Sequence, residues 1–133
     1  STIEGDRVTV AREGMATETD ERASIERALT SLALTDDAAL ERVLEKLLPS
    51  AIVALATTHP NNVAKIMDLL RHINKRVNAT TTIGLPLERM VDAYLTTTNA
   101  MVRNFALVYA EKAFERADAE TREIQIARAC SYF

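Results

Sequence analysis

Residues 63–77, VAKIMDLLRHINKRV, decide the fold class because their apolar and charged residues recur with the period of an α-helix. On a wheel of about 100° per residue, the apolar side chains fall on one side and the charged side chains on the other. This pattern predicts an amphipathic helix with one buried face and one face in water. The predicted buried face consists of Val63, Ile66, Met67, Leu70, Ile73 and Val77.

The charged face of this helix is the candidate partner-binding surface of the sequence. It consists of Lys65, Asp68, Arg71, His72, Lys75 and Arg76. One interpretation is a plain solvated face, since Lys75 and Arg76 lie in the last turn, where positive charge complements the helix dipole. The other is a protein-binding surface, where such charges tune encounter and specificity. The pattern favours the first interpretation and leaves the second open.

The same helical period continues towards the N-terminus. A helix is predicted to begin near residue 20, with Thr19 or Asp20 as its cap, and a second follows a cap at Thr35 or Asp36. Pro49 is predicted to interrupt the second helix, because proline removes a backbone hydrogen bond and kinks the axis. Residues 1–18 lack a sustained apolar period and are predicted to be a flexible tail.

Three more predicted helices follow towards the C-terminus. Pro60 suits the first turn of the opening helix, and residues 80–84 form a loop after it. A fourth helix begins around Leu85, a fifth begins after a turn at residues 96–99, and Asp118 caps a sixth. With three glycines and three prolines in 133 residues, the composition also favours helices.

The helix starts have a regular rhythm along the chain. Predicted helix pairs begin near residues 20, 61 and 99, and LERVLEKLLPSA from Leu40 resembles LERMVDAYLTTT from Leu87. HEAT and armadillo repeats have a period of about 40 to 47 residues. The sequence therefore predicts an all-α fold, a HEAT/armadillo-like α-solenoid of about three antiparallel helix pairs over residues 19–133.

Composition and motifs exclude several functional classes. The net charge is −3, without the basic excess of a nucleic-acid-binding module. The longest apolar stretch, residues 51–56, is too short to span a bilayer. His59, His72 and Cys130 lie on separate elements, and no HExxH, CxxC or glycine-rich phosphate loop occurs. The sequence therefore predicts no catalytic site, no metal site, no cofactor, no nucleic-acid binding and no membrane insertion.

The C-terminal helix has an ambiguous apolar pattern. Ile124 and Ile126 are about 200° apart on the helical wheel, so both cannot face the same inner neighbour. One apolar side is therefore expected to be exposed, and exposed apolar patches tend to find a partner. A second copy of the chain is one such partner, so residues 118–133 predict a weak homodimer.

Several ordered blocks resemble one known family. KIMDLLRHINKR at 65–76 resembles that family's helix ending in His-Ile/Leu-Asn-Lys-Arg, and IGLPLERMVDAY at 83–94 resembles its Leu-Pro-Val-Glu helix start. VRNFALVYAEKAF at 102–114 resembles its Val-Thr-Asn-Phe…Tyr helix. Together the blocks, within residues 21–116, resemble the N-terminal domain of the large HEAT-repeat proteasome-associated adaptor and scaffold proteins.

The resemblance implies a non-enzymatic protein of the cytoplasm or nucleus that binds the proteasome. The family's members are very long, so a chain of 133 residues is either an N-terminal fragment or a protein that carries this domain alone. No catalytic residue is implied by the resemblance. The alternative function is a generic helical-repeat module that binds a trafficking or cytoskeletal partner.

Overall fold

The computed structural model describes residues 17–132, and within that range the fold is all-α, as predicted. A single 3-10 turn, Pro60–Asn62, precedes the third helix. The predicted tail lies outside the described residues except for Thr17 and Glu18, and Phe133 also lies outside them. The six helices are α1 (Glu18–Leu34), α2 (Asp37–Thr57), α3 (Val63–Ala79), α4 (Leu87–Thr96), α5 (Ala100–Arg116) and α6 (Ala119–Cys130).

Short polar side chains fix where four of these helices begin. The side chains of Asp36, Asn99 and Asp118 accept hydrogen bonds from backbone N–H groups three residues further on. Thr17 does the same for α1, accepting from the N–H of Asp20 at 3.0 Å. The cap at Asp36 and the cap at Asp118 are confirmed, whereas α1 begins two to three residues earlier than predicted.

The proline in α2 does not end the helix, contrary to the prediction. Asp37–Thr57 is one continuous helix that passes through Pro49. Leu48 before the proline and Ile52 after it are both fully buried. Burying a leucine and an isoleucine stabilises the helix on both sides of the lost hydrogen bond, by roughly 1.5–3 kcal/mol for each side chain. Packing therefore outweighs the local cost of the proline, which is about 3 kcal/mol.

The helices form the two layers of a short solenoid. In one layer α3 packs on α1, and in the other α4 packs on α2 and α6 packs on α4. Across the layers, the closest contact is between α4 and α5, and α2 contacts both α3 and α5. The sequence rhythm paired α3 with α4, starting at residue 61, and α5 with α6, starting at residue 99. These are not the pairs that pack most closely, since α4 packs on α5 and both α3 and α5 pack on α2.

The core lies between the two layers and confirms the wheel drawn from the sequence. Leu40 and Leu44 of α2 are fully buried and belong to the same apolar cluster as Ile66, Leu70 and Ile73 of α3. Each of these side chains belongs to a stripe at helical spacing. The sequence therefore predicted correctly which face of α3 is buried.

Candidate protein-binding surfaces

The charged face of α3 divides into residues that point to solvent and residues that hold neighbouring helices. Arg71, His72 and Lys75 are exposed, and Arg71 shows 73% of its side chain to solvent. Lys65 and Arg76 are half-buried and bond to the α1–α2 segment. The six predicted residues therefore share one face of α3, but some are exposed to solvent and others bond to the α1–α2 segment.

Arg76 closes the C-terminal end of α1. Its guanidinium donates to the carbonyl of Leu32 at 2.8 Å and to the carbonyl of Thr35 at 2.8 Å. It also lies 3.2 Å from a carboxylate oxygen of Asp37. The last carbonyls of a helix lack the N–H donors of a following helical turn. Arg76, which lies on the neighbouring helix α3, supplies donors to the carbonyls at the end of α1.

The same arrangement recurs 40 residues later, at Arg116. This arginine ends α5 and donates to the carbonyl of Val77 at 2.9 Å, at the end of α3. It also donates to the carbonyls of Thr80 at 3.1 Å and Ile83 at 3.2 Å. The two arginines are thus equivalent positions of a structural repeat. Sequence reasoning missed this role because a basic residue in the last turn already has a local explanation in the helix dipole.

Two further ion pairs involve Lys65, Asp68 and Arg71 of the charged face. Lys65 lies 2.7 Å from a carboxylate oxygen of Glu26 in α1, and Asp68 lies 2.6 Å from Arg71 on the same helix. The first pair lowers the pKa of Glu26, through a hydrogen bond from Lys65 and its charge. Both pairs are solvent-accessible, so each contributes little to stability. They fix side-chain positions at the surface more than they hold the fold together.

A shallow groove of about 360 Å³ runs along this face, between α1 and α3. Asp68 and His72 form its α3 wall, and Leu29 and Ala33 belong to its α1 wall. Asp68, His72 and Arg76 therefore border a concave surface, whereas Arg71 and Lys75 do not line it. A partner-binding role for the six residues stays a prediction, now centred on Asp68, Arg71, His72 and Lys75.

A second groove, which sequence reasoning did not place, lies between α5 and α6. Its volume is about 410 Å³. The sequence signal for this groove was the spacing of Ile124 and Ile126, about 200° apart on the helical wheel. That spacing indicated an exposed apolar side on α6 but not which helices lie beside it. The groove is lined by Leu87, Val91, Ala110, Glu111, Phe114, Glu115, Gln125, Ile126 and Ala129.

In α6, on one side of this groove, a polar residue is buried and two apolar residues are exposed. Gln125 is the buried residue of α6, with 7% of its surface exposed. Ile124 and Ile126 are 56% and 51% exposed. Both isoleucines therefore lie outside the core, whereas their spacing predicted one exposed apolar side. The homodimer through residues 118–133 stays a prediction.

One titratable group with a lowered pKa, Glu21, holds two parts of the fold together. The backbone N–H of His59 and the hydroxyl of Thr58 donate to Glu21 at 2.9 Å and 2.7 Å, and these bonds lower the pKa of its carboxyl. Glu21 thereby ties α1 to the turn before α3.

Within residues 17–132 no group of three or more His, Cys, Asp or Glu side chains could hold a metal ion. In that range no helix is long and apolar enough to cross a membrane.

Comparison with known proteins relates the chain to two long relatives. It is 30% identical over 103 residues to the human "Proteasome adapter and scaffold protein ECM29", covering 76% of this chain and 6% of that protein. It is 29% identical over 98 residues to the Drosophila melanogaster "Proteasome-associated protein ECM29 homolog", covering 72% of this chain and 5% of that protein. No solved structure matches the chain.

The family model described as "Proteasome component ECM29, N-terminal" matches residues 25–133. That range covers α2 to α6 and most of α1, and so includes both grooves. The match confirms the resemblance drawn from the ordered sequence blocks. This chain belongs to the family of ECM29 N-terminal domains.

Proposed function

We propose that this chain is a non-enzymatic adaptor and scaffold domain that binds the proteasome through protein–protein contacts. Family membership carries the proposal, because both relatives are named for association with the proteasome. The chain spans about 6% and 5% of the length of those relatives. The role of the whole relative is therefore carried to this segment as a proposal.

The architecture supports a binding role. Stacked helix pairs form extended surfaces, and such surfaces are what solenoid proteins use to bind partners. The charged face of α3 supplies a half-exposed Asp68, which lines the groove against α1, and the exposed Arg71 and Lys75 on the same face. We propose this face as the contact with the proteasome, in the cytoplasm or the nucleus, with neither nucleic acid nor lipid as a ligand.

The test is an affinity capture from cell lysate with the tagged 133-residue chain, read by quantitative mass spectrometry. We expect proteasome subunits to be enriched together. The double variant Arg71→Glu/Lys75→Glu reverses two exposed charges one helical turn apart and is expected to reduce that enrichment. The matched control is Arg42→Glu/Lys46→Glu, which makes the same change at the same spacing on the exposed side of α2.

Three outcomes would count against the proposal. If both double variants reduce the enrichment equally, the α3 face is not the contact. If the unmodified chain enriches a trafficking or cytoskeletal protein and no proteasome subunit, the alternative function of a generic helical-repeat module replaces the proteasome role. If it instead shifts arbitrary DNA or RNA in a salt-dependent way, a nucleic-acid ligand replaces both.

A further inference from the structure

The C-terminal half of α3 is a basic part of a chain whose net charge is −3. Residues 69–87 contain Arg71, Lys75 and Arg76 but no aspartate or glutamate, although the chain has 19 of these acids in 133 residues. Lys75 is exposed and lies one turn after Arg71. Only carboxylates from other parts of the chain, or from a partner, can balance the positive charge of this stretch.

Two further cations reach the end of α3 from α5. Lys112 donates to the side-chain oxygen of Asn78 at 3.2 Å, and Arg116 donates to the carbonyl of Val77 at 2.9 Å. Asn78 follows Lys75 by three residues, so their side chains lie on the same side of α3. Lys75, Asn78 and Lys112 together form what we call the α3–α5 basic patch.

Three carboxylates near this end of α3 are already bonded to other groups. Asp37 of α2 lies 3.2 Å from Arg76, and Asp68 lies 2.6 Å from Arg71. Glu41 of α2 accepts a backbone N–H of the loop between α3 and α4. These acids therefore neutralise or bind groups beside the patch and not the patch itself.

The acidic residues of α5 do not balance the patch either. Glu111 and Glu115 line the groove between α5 and α6, where Arg122 of α6 donates to the carbonyl of Glu115 at 2.7 Å. Glu115 follows Lys112 by three residues, but the two form no ion pair. In the described part of the chain, Lys75 forms none either. The patch is thus left without a carboxylate.

The boundary between α1 and α3 shows what completes such a patch. There Lys65 of α3 lies 2.7 Å from a carboxylate oxygen of Glu26, so the preceding helix supplies the anion. At the boundary between α3 and α5, the preceding helix supplies Lys112 with only the amide oxygen of Asn78. Arg116 likewise bonds to backbone carbonyls alone in the described residues. The group absent from the second boundary is a carboxylate.

We propose that the α3–α5 basic patch binds an acidic segment of a protein partner, whose carboxylates pair with Lys75 and Lys112. The side-chain N–H groups of Asn78 can donate to the same carboxylates. The inference deepens the proposed function and rests on it for the partner's identity, a proteasome subunit. Exposed charges of this kind act mainly on the rate of association and on specificity.

The surroundings of the patch favour a short acidic segment over a long polyanion. Glu111 and Glu115 lie on the next side of α5, and Asp68 lies two turns before Lys75. Nucleic acid or an anionic membrane would face these carboxylates and a chain of net charge −3, which repel it. A few carboxylates on a protein can contact the lysines without approaching the acidic residues.

The first test uses the whole chain and a peptide of about six glutamates, with a peptide of glutamines as the control. An NMR titration locates weak binding residue by residue. At about 0.01 M salt we expect the acidic peptide to shift the amide signals of Lys75, Asn78 and Lys112, and the control to leave them unchanged. The shifts should vanish at about 1 M salt, where charges are screened within about 3 Å.

Matched double variants test the two lysines. Lys75→Gln/Lys112→Gln removes both charges but keeps hydrogen-bond donors, and it should weaken binding of the acidic peptide by about threefold to tenfold. The control Arg42→Gln/Lys46→Gln also removes two cations, on the exposed side of α2. There Glu41 and Glu45 lie in the same turns and balance them, so the affinity should stay within about twofold.

A second measurement separates this inference from the proposed function. Association of the chain with immobilised, purified proteasome is followed in real time, and Lys75→Gln/Lys112→Gln should lower the association rate by about tenfold. If the chain binds and this variant associates at an unchanged rate, the inference fails and the proposed function stands. If the chain binds the acidic peptide at the patch but not the proteasome, the proposed function fails and the patch serves another acidic protein.

Other results would also overturn the proposal. Equal shifts from the glutamine peptide would show that charge does not direct the binding. Shifts confined to α2 or α6 would place the acidic peptide elsewhere. Tighter binding of duplex DNA or of anionic lipid vesicles than of the acidic peptide, lost in Lys75→Gln/Lys112→Gln, would assign the patch to nucleic acid or to a membrane.

Discussion

The helices α3 and α6 have comparable compositions but opposite relations to the core. In α3, Ile66 and Leu70 are buried and Arg71 is exposed. In α6, Gln125 is buried while Ile124 and Ile126 are more than half exposed. The neighbours differ: α3 lies against α1 and α2, whereas α6 packs on α4 and leaves a groove beside α5.

This difference shows that an apolar residue on a helix need not belong to the core. The isoleucines of α3 lie in the core, and those of α6 lie outside the core that residues 17–132 form. In a solenoid each repeat is stabilised by its neighbours, and among the described residues α3 packs on both α1 and α2, whereas α6 packs on α4. Substitutions on the buried face of α3 should therefore lower stability, and substitutions at the exposed isoleucines of α6 should change it little.

The largest expected effect comes from Leu70→Ala in α3. Leu70 has 2% of its surface exposed, in the middle of the core. Removing its side chain should lower the free energy of unfolding by about 2–5 kcal/mol, since it leaves a cavity. Chemical denaturation measures this loss. A loss below about 0.5 kcal/mol, typical of surface positions, would contradict the assignment of the faces of α3.

A smaller loss is expected from Arg76→Ala, which separates the two kinds of charged residue on α3. The substitution leaves the carbonyls of Leu32 and Thr35 without their part-buried donor. The expected loss is about 1–3 kcal/mol. The control Arg71→Ala, at an exposed arginine of the same helix, should stay within about 0.5 kcal/mol. Equal losses in denaturation would mean that the contacts of Arg76 do not stabilise α1.

Acid should loosen α6 before α3, because the two helices begin differently. The N–H and hydroxyl of Thr121 lower the pKa of Asp118, the cap of α6, below its ordinary 3.8. A lowered pKa means that the cap stabilises the helix above pH 3.8 and that this contribution is lost as the pH falls through the folded value. The α3 helix has no side-chain cap to protonate.

Amide hydrogen exchange, corrected for intrinsic rates, would measure this difference between about pH 5 and pH 2.5. Protection of the first turn of α6 should fall on acidification, while that of the buried middle of α3, away from the turn that Glu21 holds, persists. The control Asp118→Asn keeps a capping side chain that does not titrate, and its α6 should lose no additional protection in acid. Identical pH dependence in the variant and in the wild type would show that the cap is not responsible.

The smallest effect on stability is expected from Ile126→Asp in α6. The side chain is 51% exposed and lines an open groove, so an aspartate there stays in contact with water. The free energy of unfolding should stay within about 0.5 kcal/mol of the wild type, in contrast to Leu70→Ala. A loss of several kcal/mol in denaturation would mean that α6 belongs to the core and that the comparison with α3 fails.

Much of the fold could be predicted because the helical period is a local property. The stripe from Ile66 to Val77, the cap at Asp36 and the cap at Asp118 each depend on residues a few positions apart. The continuity of α2 through Pro49 could not be predicted in this way, because the leucine and isoleucine that outweigh the proline pack against other helices.

The candidate surfaces likewise have one part that local spacing predicts and one part that depends on contacts between helices. The sequence by itself determined that Lys65, Asp68, Arg71, His72, Lys75 and Arg76 share one face, since they are separated by helical spacings. Only the tertiary structure decided that Arg76 closes α1 and that Ile126 lines a groove with Phe114. The reason is that contacts between residues far apart in sequence depend on how helices stack, and the period of one helix carries no information about its neighbours.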